Sequence, residues 1–110
     1  MTTLSTHVLD TSAGRPAAGM AVTLLKGDEE LFSGVTDEDG RCPALKEVEV
    51  TAGAHVLRFE VAAYFRAREL DLPEPPFLDV VQIDFGMTET GHYHVPLLVS
   101  PFGYSTYRGS

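Results

Sequence analysis

Apolar and polar residues alternate along most of this chain with a period of two, the pattern of β-strands that bury one face. In the segment 55–61, for example, Leu57 and Phe59 share one face while Arg58 and Glu60 lie on the other. Seven such runs and a possible eighth, with turn residues every eight to twelve positions, predict an all-β sandwich or barrel. The predicted strands cover residues 4–10, 20–25, 31–36, 48–50, 55–61, 78–85, 92–99 and 104–108.

One segment, 62–70 (AAYFRAREL), has helical character instead. Its apolar residues recur near a period of 3.6, and it contains neither Gly nor Pro. A helix this short needs tertiary contacts to persist, so it does not change the predicted class. Residues 43–45 are expected to be extended.

Size and charge narrow the class of protein. With 110 residues, a single domain over 1–110 is expected. The 16 acidic side chains outnumber the 8 basic ones, and the net charge of −8 argues against a nucleic-acid-binding surface. No apolar run approaches the roughly 20 residues that cross a bilayer, and no secretory signal is visible. Because the lone Cys42 cannot close an internal disulfide, a cytoplasmic location is expected.

The candidate chemistry lies in the histidines. On a strand, His92 and His94 project to the same face. Pro96 follows on that face and has no N–H to donate to the hydrogen-bond ladder of a sheet, so this strand is expected to be an edge strand or to be locally bulged there. His7 lies on the first predicted strand, and first and penultimate strands are often neighbours in a sandwich. The sequence alone does not place His7 beside the pair.

Three interpretations of these histidines stay open on the residues alone. In the first, they are partly buried structural residues. In the second, a His-x-His pair and a distant third His form a catalytic zinc site. In the third, a neutral His is the general base of a metal-free hydrolysis. A nearby Arg41 would oppose a dication and favour neutral imidazole by charge repulsion. No Gly-x-Ser-x-Gly motif is present, and Cys42 is expected to be a small packed residue.

The C-terminal end, 104–110 (YSTYRGS), is dense in aromatic rings and hydroxyl groups. Chain ends usually fray, and this composition suits a segment that docks. The alternative is a last β-strand with a polar tip.

Several motifs together indicate a family. They are residues 6–10 (THVLD), 14–17 (GRPA), 39–41 (DGR), 92–98 (HYHVPLL) and the closing 107–110 (YRGS). In these motifs the chain resembles the transthyretin-related 5-hydroxyisourate hydrolases, over essentially its whole length. The closing tetrapeptide is the specific part, because it separates these enzymes from the hormone-carrying transthyretins.

The resemblance implies a transthyretin-like β-sandwich of two four-stranded sheets with one short helix. It implies a homotetramer, a dimer of dimers, with active sites at the dimer–dimer interface. The reaction would be hydrolysis of 5-hydroxyisourate to 5-hydroxy-2-oxo-4-ureido-imidazoline-5-carboxylate (OHCU), the step after urate oxidation in purine breakdown. No metal, organic cofactor, nucleic acid or membrane partner is implied.

The family's site residues carry over to positions of this sequence. His7 and His94 would position and deprotonate a water that attacks a ring carbonyl, and Arg41 would stabilise the developing oxyanion. The tail, from the same or a neighbouring subunit, would close the pocket through Tyr107 and Ser110. The implied residues are His7, Arg41, His94 and Ser110 as catalytic groups, His7, Arg41 and Tyr107 as substrate-binding groups, and His92 and Arg108 in supporting positions.

A non-enzymatic alternative is a carrier of small aromatic ligands on the same fold. A carrier has no evident need for the 107–110 tail or for a cluster of His and Arg side chains. These features therefore favour the hydrolase.

Overall fold

Eight β-strands, one α-helix and one short 3₁₀ helix are formed by residues 1–109, which are the residues that the computed structural model describes. The helical pieces are the 3₁₀ helix Pro43–Glu47 and α1 (Val61–Ala67). Within these residues no helix has the length and apolar character needed to cross a membrane. The strands are β1 (Thr2–Asp10), β2 (Arg15–Pro16), β3 (Ala21–Lys26), β4 (Glu29–Val35), β5 (Gly53–Glu60), β6 (Val80–Met87), β7 (Gly91–Ser100) and β8 (Gly103–Thr106).

The strands form two sheets of four. The first sheet has the order β2-β1-β7-β8 and the second the order β4-β3-β5-β6. Neighbouring strands are antiparallel except for β1 and β7, which are parallel. The sheets enclose one hydrophobic cluster, so the predicted all-β sandwich of two four-stranded sheets with a short helix is confirmed.

Alternating strand residues supply the core. In β1 the inward residues include Leu4 and Val8, both fully buried, and β7 adds Leu97. Phe59 from β5 and Phe65 from α1 are the largest of the fully buried side chains. Burying a side chain of this kind contributes roughly 1.5–3 kcal/mol. The same alternation leaves the outer face of the first sheet available for polar residues.

The parallel pairing of β1 with β7 joins the two ends of the chain. It runs without a register shift from Thr2 opposite Gly91 to Asp10 opposite Val99. Side chains at paired positions point to the same face, so every outward residue of β1 has an outward neighbour on β7. This pairing places the histidines of both strands on the outer face of the first sheet.

Pro96 lies in an interior strand, since β7 has β1 on one side and β8 on the other. Its carbonyl accepts a hydrogen bond from Thr106 Oγ1 at 2.7 Å, so its nitrogen also faces β8, where it has no proton to donate. β8 ends at Thr106, and pairing resumes in the same register at a bridge between His94 and Gly109. The structure therefore has neither the sheet edge nor the bulge expected at Pro96, but a gap in the ladder without a change of register.

Two local expectations are wrong. Residues 43–45 lie in a 3₁₀ helix instead of an extended piece, and this turn brings Leu45 into the core, where it is fully buried. Residues 48–50 form no strand, only a single bridge from Val50 to Thr2. The possible strand at 104–108 is present as β8, and the two-residue β2, which pairs with the end of β1, brings the number of strands to eight.

The helix is shorter than its sequence pattern predicts. α1 ends at Ala67, although helix-forming residues continue to position 70. Glu69 has a left-handed backbone conformation (φ 64°), which is incompatible with a further helical turn.

The carboxylate of Asp10 anchors the end of β1 to the helix. Its side chain is almost fully buried. Oδ1 accepts hydrogen bonds from Ser12 and Ala13 in the following turn, and Oδ2 accepts the hydroxyl of Tyr64 at 2.8 Å. Arg68 Nε lies 3.9 Å from the same oxygen. Burial and this hydrogen bond raise the pKa of the Tyr64 phenol above its ordinary value, so the phenol remains a donor.

Replacing Tyr64 with Phe is expected to lower the free energy of unfolding by about 1–3 kcal/mol, because a buried carboxylate oxygen loses its donor. Urea unfolding at fixed protein concentration measures the change as a shift in midpoint with an unchanged m-value. Tyr104→Phe, which removes a hydroxyl from an exposed side chain of β8, is the control and should stay within about 0.5 kcal/mol. Equal stability of the two variants would contradict the anchoring role of Asp10.

Candidate active site

Arg41, His7 and Pro96 lie in one row across the first sheet. An antiparallel bridge pairs Arg41 with His7, and the parallel ladder pairs His7 with Pro96. Paired residues point to the same face, so this row brings a cation and an imidazole to one side of the sheet. Tyr107 follows the end of β8, in the part of the tail that is not paired with β7.

The next row consists of Ser5, His94 and Gly109, and a third row pairs Thr3 with His92. His94 is a diagonal neighbour of His7, with Cα atoms about 8 Å apart, since adjacent strands are spaced by about 4.8 Å and two residues rise about 6.6 Å. We call the set Thr3, Ser5, His7, Arg41, His92 and His94 the histidine patch.

Two hydroxyl groups connect the rings of the histidine patch. Ser5 Oγ hydrogen-bonds His94 Nδ1 at 2.7 Å and His92 Nε2 at 2.9 Å. Thr3 Oγ1 hydrogen-bonds the other nitrogen of His92, Nδ1, at 2.6 Å. Within residues 1–109, Nε2 of His94 has no hydrogen-bond partner. This ring nitrogen is therefore available to accept a proton from a bound water.

The surroundings of His94 keep its imidazole neutral. Burial of the ring lowers the pKa of His94 below its ordinary value, and the positive charge of Arg41 lowers it further. The other groups that lower it are His7, His92 and Lys46. A neutral imidazole with one open nitrogen is suited to act as a general base.

A tight turn holds Arg41 beside His7. Asp37 Oδ1 accepts a hydrogen bond from the backbone N–H of Arg41 at 3.0 Å. Gly40 has a left-handed conformation (φ 75°), and its carbonyl accepts the N–H of Val8 at 2.8 Å. A side chain at Gly40 would collide with the carbonyl oxygen of Val8, so the turn before Arg41 requires glycine.

The C-terminal tail docks against His94. The N–H of Gly109 donates to the carbonyl of His94 at 2.7 Å. A Cβ at Gly109 would lie 2.5 Å from Cδ2 of the His94 ring, closer than side chains tolerate. Because Cδ2 is bonded to Nε2, the tail runs beside the open nitrogen of the ring.

Arg108 lies apart from the histidine patch. Its guanidinium is stacked over the ring of Tyr93, 4.1 Å from the centroid. Tyr93 belongs to the buried, inward row of β7, on the opposite face from His94. A cation–π contact of this kind contributes about 0.5–2 kcal/mol. Arg108 is therefore placed to hold the tail and not to contact the patch.

The structure brings most of the predicted site residues together. His7, Arg41 and His94 share the patch, and Tyr107 lies in the unpaired part of the tail between Thr106 and Gly109. His92 is joined to His94 through Ser5, next to the predicted base. Ser110 lies outside the described residues.

Four residues around the patch are absent from the sequence prediction, namely Thr3, Ser5, Lys46 and Gly109. Thr3 and Ser5 alternate with the core residues in step with His7, so the strand pattern already puts them on its face. The register that sets them against His92 and His94 has no sequence signal. Lys46 likewise has none, because its position depends on the 3₁₀ helix.

Cys42 is not part of the patch. Its side chain is buried, and burial together with the nearby carboxylate of Asp37 raises the pKa of the thiol to about 11. A protonated thiol is a poor nucleophile. Its interpretation as a small packed residue agrees with these surroundings.

The zinc interpretation finds no ligand set in the described part of the chain, where no group of three or more His, Cys, Asp or Glu side chains could hold a metal ion. Both nitrogens of His92 and Nδ1 of His94 are engaged by hydroxyl groups. Arg41 and Lys46 add positive charge near His94, which opposes a dication.

The histidine patch is open in a single chain. One depression in the described surface is lined mainly by residues 1–3 and 46–52, and another lies between β6 and the tail. His7, Arg41 and His94 line neither of them. A pocket that excludes water from the patch requires a second surface above it.

Comparison with known proteins decides the family. The model of the HIUase/transthyretin family matches residues 4–109, almost the entire chain. The chain belongs to the HIUase/transthyretin family. Membership accounts for the sandwich topology and for the motifs at both ends of the chain, which lie on β1 and β7 and in the tail.

Members of the HIUase/transthyretin family resemble this chain in sequence and in fold. A 5-hydroxyisourate hydrolase of Mesorhizobium japonicum is 52% identical over 97% of this chain and 91% of its own length. The structure of Klebsiella pneumoniae 5-hydroxyisourate hydrolase matches with a TM-score of 0.87 at 39% identity, covering 100% of this chain and 94% of that one. Sea bream transthyretin in complex with thyroxine gives a TM-score of 0.83 at 29% identity, covering 96% and 93%. The fold is common to both branches, and the sequence is more similar to these hydrolases.

The pKa of His94 is expected to lie below 6.5 and to rise when Arg41 is replaced with Gln, since the variant removes a charge that disfavours imidazolium. NMR titration of the His94 ring resonances measures both values. Arg58→Gln, which removes an exposed arginine of β5, is the control and should leave the titration unchanged. An identical midpoint in wild type and Arg41→Gln would contradict the electrostatic contact.

Proposed function

We propose that this chain hydrolyses 5-hydroxyisourate to OHCU, the step after urate oxidation in purine breakdown. Relatives named 5-hydroxyisourate hydrolase support this, one of them 52% identical over 97% of this chain. The observation that carries the proposal is that Arg41, His7 and His94 share one face of the first sheet, with Nε2 of His94 unpartnered within residues 1–109. His94 supplies a base and Arg41 supplies a charge that stabilises an oxyanion, the two needs of cyclic amide hydrolysis.

Hydrolysis begins with a water positioned by His94 and His7. Nε2 of His94 takes a proton from the water as its oxygen bonds to a ring carbonyl carbon, and the carbonyl becomes an oxyanion. When the oxyanion collapses, the ring C–N bond breaks, and the imidazolium returns the proton to the leaving nitrogen. The oxygen from water remains in the new carboxyl group, and His94 is neutral again.

Arg41 acts before and during the reaction. Its fixed charge lowers the pKa of His94, so the base is unprotonated when substrate arrives. The same charge stabilises the oxyanion, and the oxyanion in turn offsets the repulsion between Arg41 and the imidazolium. This scheme requires no metal ion and no organic cofactor.

The tail completes the pocket in this proposal. Tyr107, two residues before Gly109 in the tail, binds the substrate. Gly109 keeps the tail against His94 through its N–H and its lack of a side chain. Ser110, which follows Gly109 in the sequence, is proposed as a further catalytic group.

The proposed assembly is a homotetramer, a dimer of dimers, with the sites at the dimer–dimer interface. Strands β6 and β8 are sheet edges with one unpaired side each, and such edges pair readily with another copy. A second copy over the histidine patch would supply the missing surface and exclude water from the reaction. A cytoplasmic location is part of the proposal and is compatible with the buried free thiol of Cys42.

The test follows the decay of 5-hydroxyisourate generated in situ by urate oxidase. The protein should accelerate the decay, and Arg41→Ala should lower turnover by at least about 10²-fold, because it removes the charge that stabilises the oxyanion. Arg58→Ala, in the other sheet, is the matched control and should keep full activity. No acceleration by intact, folded protein would overturn the proposal and favour the carrier of small aromatic ligands. Full activity of Arg41→Ala would overturn the role of Arg41.

Gly109→Ala is expected to lower turnover by up to about 10²-fold, since its Cβ would displace the tail or the His94 ring. Gly103→Ala, in the same terminal segment, meets only an ordinary contact with Ser100 and should be close to wild type. Truncation after Ser105 should abolish the acceleration. Equal activity of the two alanine variants in the decay assay would contradict the docking of the tail on His94.

A further inference from the structure

A chain of hydroxyl and imidazole groups leads away from the proposed base. It passes from His94 to Ser5, to His92 and to Thr3 through contacts of 2.7, 2.9 and 2.6 Å. Ser5 is only 8% exposed, whereas His92 is exposed, so the chain runs from a sheltered ring to solvent. The mechanism described above uses His94 but leaves Ser5 and Thr3 without a role.

The positions of the protons along this chain depend on one another. A base at Nε2 of His94 needs its own proton on Nδ1, and that N–H donates to Ser5 Oγ. Ser5 has a single proton, and its remaining partner in residues 1–109 is Nε2 of His92, so it donates there. His92 must then have its proton on Nδ1 and donate it to Thr3 Oγ1.

The reverse arrangement would disable the base. Thr3 would donate to His92, His92 to Ser5, and Ser5 to Nδ1 of His94, which leaves the His94 proton on Nε2. The two arrangements therefore differ in which nitrogen of His94 is bare. Only the first leaves a lone pair on Nε2, the ring nitrogen that has no hydrogen-bond partner within residues 1–109.

We propose that Ser5 and His92 are positioning residues that hold His94 in the Nδ1–H tautomer, so that Nε2 keeps the lone pair that takes the proton of water. Neither residue needs to contact the substrate. When His94 becomes an imidazolium, its hydrogen bond to Ser5 becomes charge-assisted and strengthens. The choice of this tautomer rests on the proposed function, because a base at Nε2 requires it, and NMR measures the tautomer independently of hydrolysis.

NMR correlation of the ring protons with the ring nitrogens, recorded above the titration of His94, identifies the tautomer. The wild type should show the proton of His94 on Nδ1, and Ser5→Ala should move it toward Nε2 because the acceptor is lost. Ser5→Thr keeps a hydroxyl group at this position and should restore the Nδ1–H form. A wild-type His94 with its proton on Nε2 would overturn the proposal without any variant.

Kinetics then separate positioning from packing. Ser5→Ala should lower kcat by at least about tenfold with little change in KM. A general base accelerates a reaction by about 10²–10⁴-fold, and the variant is expected to lose part of that acceleration. Ser5→Thr should recover most of the loss. A lower kcat in Ser5→Ala with an unchanged tautomer would show a purely structural role and overturn the proposal. Absence of hydrolysis by wild type with the Nδ1–H tautomer present would overturn the proposed function and support the tautomer assignment.

Discussion

The parallel ladder between β1 and β7 is the constraint on which the whole site depends. Its register sets Ser5 beside His94 and His7 beside Pro96, although the two strands lie at opposite ends of the chain. A slip of one residue would turn the outward histidines toward the core, and the buried inward row would become exposed. Burial of that row stabilises the fold by roughly 1.5–3 kcal/mol for each large apolar side chain, and this free energy opposes any such slip. The core therefore fixes the chemistry on the opposite face of the sheet.

Local charge at the site differs in sign from the charge of the whole chain. The formal net charge is −8, yet the two permanently charged groups that lower the pKa of His94, Arg41 and Lys46, are cationic. Salt screens exposed charges over about 8–10 Å, so distant carboxylates contribute little to the pKa of this ring. Burial and adjacent cations decide the protonation of His94. The net charge of the chain therefore argues against a nucleic-acid partner, but it does not predict the charge state of the site.

Rigid backbone elements hold the site, and the C-terminal tail closes it. The histidines are on two interior strands, and Arg41 follows a turn that is fixed by Asp37 and by the conformation of Gly40. The tail separates from β7 where Pro96 offers no donor and pairs again at Gly109, so the ladder has a gap at Tyr107. A single missing N–H thus coincides with a break in the ladder at Tyr107, whose side chain is exposed, and the register on either side of the break is unchanged.

The sequence by itself determined which residues lie on strands, which face each of them takes, and which family motifs they form. These properties are local, because strand alternation has a period of two and turns depend on a few adjacent residues. It predicted His7, Arg41 and His94 as site residues, but misassigned residues 43–45, where the burial of Leu45 outweighs the extended pattern. Only the tertiary structure decided that Ser5 links two histidines and that Arg108 turns to the inner face. Those contacts join residues more than 80 positions apart or depend on the pairing of the tail with β7, and such pairing is set by packing of the whole core, which local patterns do not encode.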